Sequence, residues 1–232
     1  MKRSTVLVIA SMMGMCGSAA LAQGAKETTK PAAKPAAKPA ATQPAEPQLP
    51  AGWTAEDMQA CMEAGTPGAQ HAFLAEGVGT WTGTSTMWMA PGTEPMTSEM
   101  TSTVSAIMDG RYIKVEITGE IPGMGPFQGF GLHGFDNVSQ TFQASWIDNC
   151  STGIMFGTGE LSSDGKTLTW NYTYHCPITK KPTHFREVER RIGKDAVVFE
   201  MFGVDPKSGK EFKMMELNLK RTPGTASATS AR

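Results

Sequence analysis

The chain has 232 residues, a formal net charge of −1 and a pI near 6.4. With 21 basic against 22 acidic residues it lacks the basic surface that phosphate contacts require, so nucleic acid is not an expected partner. Glycine is abundant, at 25 residues, and long helical periodicity is scarce, which favours β structure.

Residues 1–22 read as a cleavable signal peptide. Lys2 and Arg3 form a positive start, an apolar stretch runs from Val6 to about Met15, and Ala20-Leu21-Ala22 supplies the small residues of a cleavage site before Gln23. The apolar stretch falls short of the roughly 20 residues that span a bilayer, and no later segment is apolar enough to do so. The expected location is periplasmic or secreted. Cys16 raises the alternative of a lipid anchor, but Met15 stands where lipoprotein signals carry a small residue.

Residues 23–50 form an Ala/Lys/Pro linker. Lys30-Pro31-Ala32-Ala33 is repeated by Lys34-Pro35-Ala36-Ala37 and Lys38-Pro39-Ala40-Ala41. Such a segment buries too little to offset its conformational entropy, so disorder with extended polyproline character is expected. It reads either as a stalk that contacts the envelope or as a solvated leader. The small, polar tail of residues 222–232 is expected to be disordered as well.

Between them lies enough chain for one domain with a sizeable core. Residues 51–76 are expected to be helical. Thr54 is positioned as an N-cap, with acids in the first turn and a helix running to about Ala64. A second short stretch covers Ala69 to Glu76, with Phe73 and Leu74 inward. From Gly77 the apolar period becomes two, and residues 77–221 read as an antiparallel β domain.

Asp109-Gly110 favours a type I′ turn. If Met108 pairs with Arg111, then Ala106 faces Ile113, Val104 faces Val115 and Ser102 faces Ile117, which puts largely apolar sets on one face. Phe142, Ala144 and Trp146 share a face, as do Leu168, Trp170, Tyr172 and Tyr174. Met215, Leu217 and Leu219 alternate in phase with Arg221. Turn signals punctuate about nine or ten strands in a meander, and that many strands on a short chain suggests closure into a barrel without exposed edges. The fold class is therefore all-β. Gly79-Thr80-Trp81 opens the first strand and Arg221 closes the last, the arrangement of lipocalin-like barrels, in which a basic residue packs over the indole.

The order of motifs carries a resemblance. His71-x-x-Leu74 leads to Gly79-x-Trp81, then Asp109-Gly110-Arg111-Tyr112, Gly134-Phe135-Asp136-Asn137, Trp146-Ile147-Asp148-Asn149 and Met215-Glu216-Leu217 before Arg221. Over roughly residues 69–221 this resembles a bacterial family of exported or soluble proteins, domain of unknown function 1579. The resemblance implies a lipocalin-like architecture and brings no reaction or catalytic residues with it.

Candidate functional residues are few. His133 lies mid-strand in a Gly-rich run, where close approach to the backbone is easy, and Trp146, Trp170 and Tyr172 are inward aromatics. These four are the candidate ligand contacts, to be weighed against aromatics that simply fill the core. Trp81 and Arg221 are structural candidates. His71, His175 and His184 are scattered, with no spacing that requires a metal. Asp136 and Asp148 flank one strand and read as turn formers, too far apart for paired-carboxylate chemistry. Met87, Met89, Met96 and Met100 surround Trp88, a weak case for Cu(I) against the ordinary role of Met as a gap filler. No cofactor motif and no catalytic elbow occurs. After cleavage Cys61, Cys150 and Cys176 remain. Pairing Leu161 with Lys166 across the turn at Asp164-Gly165 brings Cys150 within one position of Cys176, so a disulfide between them is expected, with Cys61 free.

Three functions stay open: non-enzymatic binding of a small, mostly apolar ligand in the barrel; a hydrolase- or isomerase-type enzyme at its mouth; and an envelope interaction module. Processing can be tested directly. Intact-mass analysis of protein from the envelope fraction should show an N-terminus at Gln23 and no lipid on Cys16.

Overall fold

The computed structural model describes residues 49–224. The expected signal peptide with Cys16, the linker up to residue 48 and the tail from residue 225 lie outside the described residues. Two helices, α1 (Ala55–Ala64) and α2 (Ala69–Ala75), precede ten strands. These are β1 (Gly79–Met87), β2 (Met96–Ile107), β3 (Tyr112–Ile121), β4 (Gly125–Asp136), β5 (Thr141–Asp148), β6 (Met155–Leu161), β7 (Thr167–His175), β8 (Pro182–Arg191), β9 (Ala196–Val204) and β10 (Glu211–Arg221). Each strand pairs antiparallel with the next, and β1 pairs with β10, so the meander closes into a ten-stranded barrel. Closure leaves no unpaired edge. No helix of the described residues is long and apolar enough to cross a membrane.

The helices form where the local sequence directs. The Thr54 side chain accepts from the Asp57 amide at 3.2 Å, and Asp57 accepts from the Thr54 amide at 2.8 Å, closing a capping box. No residue of α1 is buried. It is held instead by its C-terminal carbonyls, since Asn137 donates to the carbonyls of Glu63, Ala64 and Thr66, and Arg111 donates to that of Gly65. The Glu63 carbonyl also accepts from the Thr66 amide at 3.2 Å, and the others lie past the last intrahelical bonds, so side chains of the barrel can take them. In α2, Leu74 is buried in the core and Phe73 packs against the same cluster.

The β2–β3 hairpin has the expected register, with Ala106 opposite Ile113, Val104 opposite Val115 and Ser102 opposite Ile117. Asp109 and Gly110 both take positive φ, 55° and 81°, as the turn type requires. At the seam, Trp81 pairs with Arg221, whose guanidinium lies 4.1 Å from the indole ring centre. Arg221 also donates to the carbonyls of Val78, Glu76 and Lys194 and pairs with Asp195 at 3.2 Å. The indole N–H donates to Gly77 at 2.8 Å. One arginine therefore ties the last strand to the chain entering the first and to the β8–β9 loop.

The β6–β7 hairpin departs from expectation. Leu161 pairs with Leu168 and not with Lys166. Ser162 and Asp164 build a longer turn: the Ser162 amide donates to the Thr167 carbonyl at 2.8 Å, and Asp164 accepts from the Lys166 amide. The two-residue shift sets Cys176 level with Gly153, not with Cys150, and the ladder ends before either, at Phe156–Thr173. The expected Cys150–Cys176 disulfide is not formed. Cys61, Cys150 and Cys176 are all free thiols, the last of them buried.

Arg221→Ala should destabilise the barrel by about 2–3 kcal/mol, combining a lost cation–π contact with carbonyls left short of a donor. Arg221→Lys should recover only part of this, because one ammonium cannot cover the ring and three carbonyls together. Urea denaturation of the three proteins measures it.

Candidate functional site

Period-two alternation sends every second side chain of ten strands inward, and at one end those side chains meet. Leu74 of α2, Ile113, Phe142, Leu168, Trp170 and Tyr172 form a packed cluster there. A second cluster gathers Trp81, Met100, Val197, Leu217 and Leu219 along β1, β2, β9 and β10. Between and beyond them the barrel holds a partly open cavity of about 1020 Å³. Its wall is mostly apolar, with Val115, Ile117, Phe127, Phe199 and Leu217 among its residues. The β5–β6 and β7–β8 loops border it through Cys150, Ile154 and Pro177.

Three of the four candidate contacts reach this wall. His133 faces inward beside Ile113 and Ala144, which settles its face. Its Nε2 lies 3.4 Å from the Tyr172 hydroxyl, and its ring centre lies 4.8 Å from that of Trp170. Burial holds His133 down to about 4, so it is a neutral imidazole at pH 7. Tyr172 stacks on Phe185 at 4.9 Å, and burial pushes its hydroxyl well above the usual tyrosine range. Trp146 hydrogen-bonds Asp148 through its indole N–H at 3.0 Å. Its ring lies directly over β4, where a Cβ on Gly129 would fall 2.5 Å from it and one on Gly131 3.0 Å. The group that the Gly-rich run admits is therefore a tryptophan of this chain. Trp170 is different. It is fully buried, packs between His133, Phe142 and Tyr172, and does not line the cavity.

Reading the sequence missed the acids. Phe185, Glu187, Glu189 and Arg191 alternate along β8 and all line the cavity. Arg191 pairs with Glu189 at 3.2 Å and with Glu76 at 2.8 Å, and its guanidinium lies 3.6 Å from the Phe73 ring centre. Burial pushes Glu189 up, and Arg191 pulls it back down. The Trp170 indole N–H is directed at Glu189 without closing a hydrogen bond of normal geometry. Glu187 is 7 % exposed and has no hydrogen-bond or ion-pair partner among the described residues. Burial, with a smaller push from Glu189, raises Glu187 to about 8. The available signal was the phase, since Glu187 and Glu189 share it with Phe185. Alternating charges on a strand ordinarily mark a solvated face, and that hid them.

The remaining candidates separate. His71 is buried and its Nδ1 accepts from the Gly68 amide at 3.0 Å, while His184 bonds Thr173 at 3.0 Å. Asp136 accepts from the Val138 amide and the Ser139 hydroxyl, as a turn former does. Asp148 accepts from Trp146 and from the Cys150 amide. Met87 and Met100 reach the cavity wall, whereas Met89 is exposed. Among the described residues no three His, Cys, Asp or Glu side chains gather as a metal site would need.

Comparison with known proteins gives a family and a fold. The family model described as protein of unknown function (DUF1579) matches residues 66–221. The crystal structure of Rv2717c from M. tuberculosis superposes with a TM-score of 0.52 at 13 % identity, covering 68 % of this chain and 99 % of that one. At that identity it speaks for the fold alone. Among curated proteins none matches the sequence.

The cavity's titratable groups set a pH profile. Folded Glu187 holds its proton up to about pH 8 and unfolded Glu near 4.5, so the folded state binds more protons in between and stability falls as pH rises. His133 does the reverse: about 4 when folded and 6.5 otherwise, so its contribution grows as pH rises across that range. The two largely offset below 6.5. Between pH 6.5 and 8 only the fall remains, at no more than about 1.4 kcal/mol per pH unit for one proton. Urea midpoints should therefore drop from pH 6.5 to 8.5 in the wild type and much less in Glu187→Gln.

Proposed function

The chain belongs to the DUF1579 family, a membership that assigns no reaction, and we propose from its cavity that it binds a small, mostly apolar ligand inside the barrel, outside the cytoplasm. The observation that carries this reading is the cavity of about 1020 Å³ with its largely apolar wall. Small-molecule sites are concave, mostly apolar and furnished with a few polar groups that fix orientation. Here those groups are the His133 imidazole, the Tyr172 hydroxyl and the Glu187 carboxyl. Work outside the cytoplasm is supported by the signal-like residues 1–22.

The test is titration with N-phenyl-1-naphthylamine, an uncharged apolar dye that brightens on leaving water. Its emission should rise saturably with the wild-type protein. Ile117→Trp puts a bulky side chain on the wall and should weaken this at least tenfold while the far-ultraviolet dichroism is retained. Trp170→Ala does not test binding, because that ring is core, and its loss should cost about 3–5 kcal/mol of stability. An absence of saturable binding by the wild-type protein would sink the reading.

A second reading has one specific observation behind it. A carboxyl that keeps its proton near neutrality is what a general acid needs, and Glu187 sits in the cavity beside a second raised acid, Glu189. This is the hydrolase- or isomerase-type alternative. Native mass spectrometry of protein from its own host separates the two: a ligand retained unchanged on prolonged incubation supports binding, and one that turns over supports chemistry.

A further inference from the structure

We propose that the ligand carries a protonated amine on its apolar body, and that Glu187 is the anchor for that amine. The inference rests on the reading of the barrel as a binding site and names the chemical class it takes. Glu187 lines the cavity from the middle of β8, nine-tenths buried, and its carboxyl meets no donor or cation from the protein among the described residues. A buried polar group without a partner costs free energy comparable to a lost hydrogen bond, and a buried charge costs far more. The Glu187 carboxyl opens onto the cavity, so a group from outside the chain, water or a ligand's donor, completes it.

The surroundings say which group that is. On its own strand Glu187 has Glu189 two positions on, an acid that can only repel a second negative charge. Arg191, beyond it, is already divided between Glu189, Glu76 and the Phe73 ring. On β7 the neighbours are Trp170, directly opposite, and Tyr172, whose hydroxyl is never ionised near neutrality. On β9 the facing residue is Met201, which carries no charge. His133 of β4, which meets Tyr172, is held neutral by its burial. Around Glu187 the acids therefore outnumber the cations free to serve them. An incoming anion would meet two carboxyls. An ammonium group would donate to the orphan carboxylate and lie beside the rings of Tyr172 and Phe185, which line the cavity and attract cations. Seating it expels the Glu187 proton to solvent, leaving a neutral ion pair in the cavity.

The experiment displaces N-phenyl-1-naphthylamine with three probes that share one chain: decylamine, decanol and decanoate. At pH 8 decylamine should displace the dye at a concentration at least tenfold below decanol, and decanoate should be the weakest. In Glu187→Gln the ratio of decylamine to decanol should collapse toward one. For the wild type the amine's affinity should rise more than tenfold from pH 6 to 8, while decanol's stays level. This pH arm needs no variant, so a substituted protein that fails to fold does not block the test. Equal displacement by amine and alcohol, or a lead for decanoate, overturns the amine proposal and leaves apolar binding standing. A dye that never binds overturns both.

Discussion

Ten strands joined edge to edge determine the girth of the barrel, and the girth determines how much the interior must hold. Closure depends on β1 meeting β10, and there the chain spends one of its most connected side chains. Arg221 covers the Trp81 indole and reaches the carbonyls of Glu76, Val78 and Lys194. Without that seam the first and last strands would be edges, and the interior would be a groove. With it, one end fills with Leu74, Phe142, Leu168 and Trp170, and the wider remainder stays open as a cavity. The packed end and the empty end are thus two results of one geometry.

The cavity is not uniformly oily. His133, Tyr172, Glu187, Glu189 and Arg191 place hydrogen-bonding groups within an apolar wall, and burial pushes Tyr172, Glu187 and Glu189 toward their neutral forms. The imidazole of His133 moves in the other direction for the same reason, since desolvation always disfavours charge. Although Glu76, Glu120, Asp148, Lys194 and Arg221 place ionisable groups elsewhere on the wall, the patch of His133, Tyr172 and Glu187 is therefore largely uncharged at neutral pH. That makes it hospitable to an apolar body while leaving specific polar positions for a single head group.

Much of this was legible from residues alone, and the exceptions are physical. The β2–β3 register could be read because an Asp-Gly turn and the apolar alternation of Val104, Ala106, Ile113 and Val115 agree. A one-residue slip there would turn apolar side chains to water. At β6–β7 the turn is built by side chains, with Ser162 and Asp164 bonding across it, and polar loops of that kind tolerate several lengths. The two-residue error in register removed the disulfide with it. The inward aromatics were found by phase, but phase cannot distinguish Trp170, sealed in the core, from Trp146, which lies on the wall. That difference depends on where along the barrel the packed end gives way to the cavity, and no local pattern encodes it.

Glu187 and Glu189 are the instructive pair. They lie two residues apart on one strand, on one face, in one cavity. Glu189 has a structural explanation: it pairs with Arg191, which in turn reaches Glu76 beside α2 and stacks on Phe73 within it. Removing either partner would strand the other, so both are held in place by the fold. No such explanation extends to Glu187, which neither bonds nor pairs with anything among the described residues. Its carboxyl faces the open cavity, where solvent or a bound molecule, and not the fold, supplies its hydrogen bonds. A polar group that the fold does not use, set on the wall of an apolar cavity, is the one our proposal assigns to the ligand's amine.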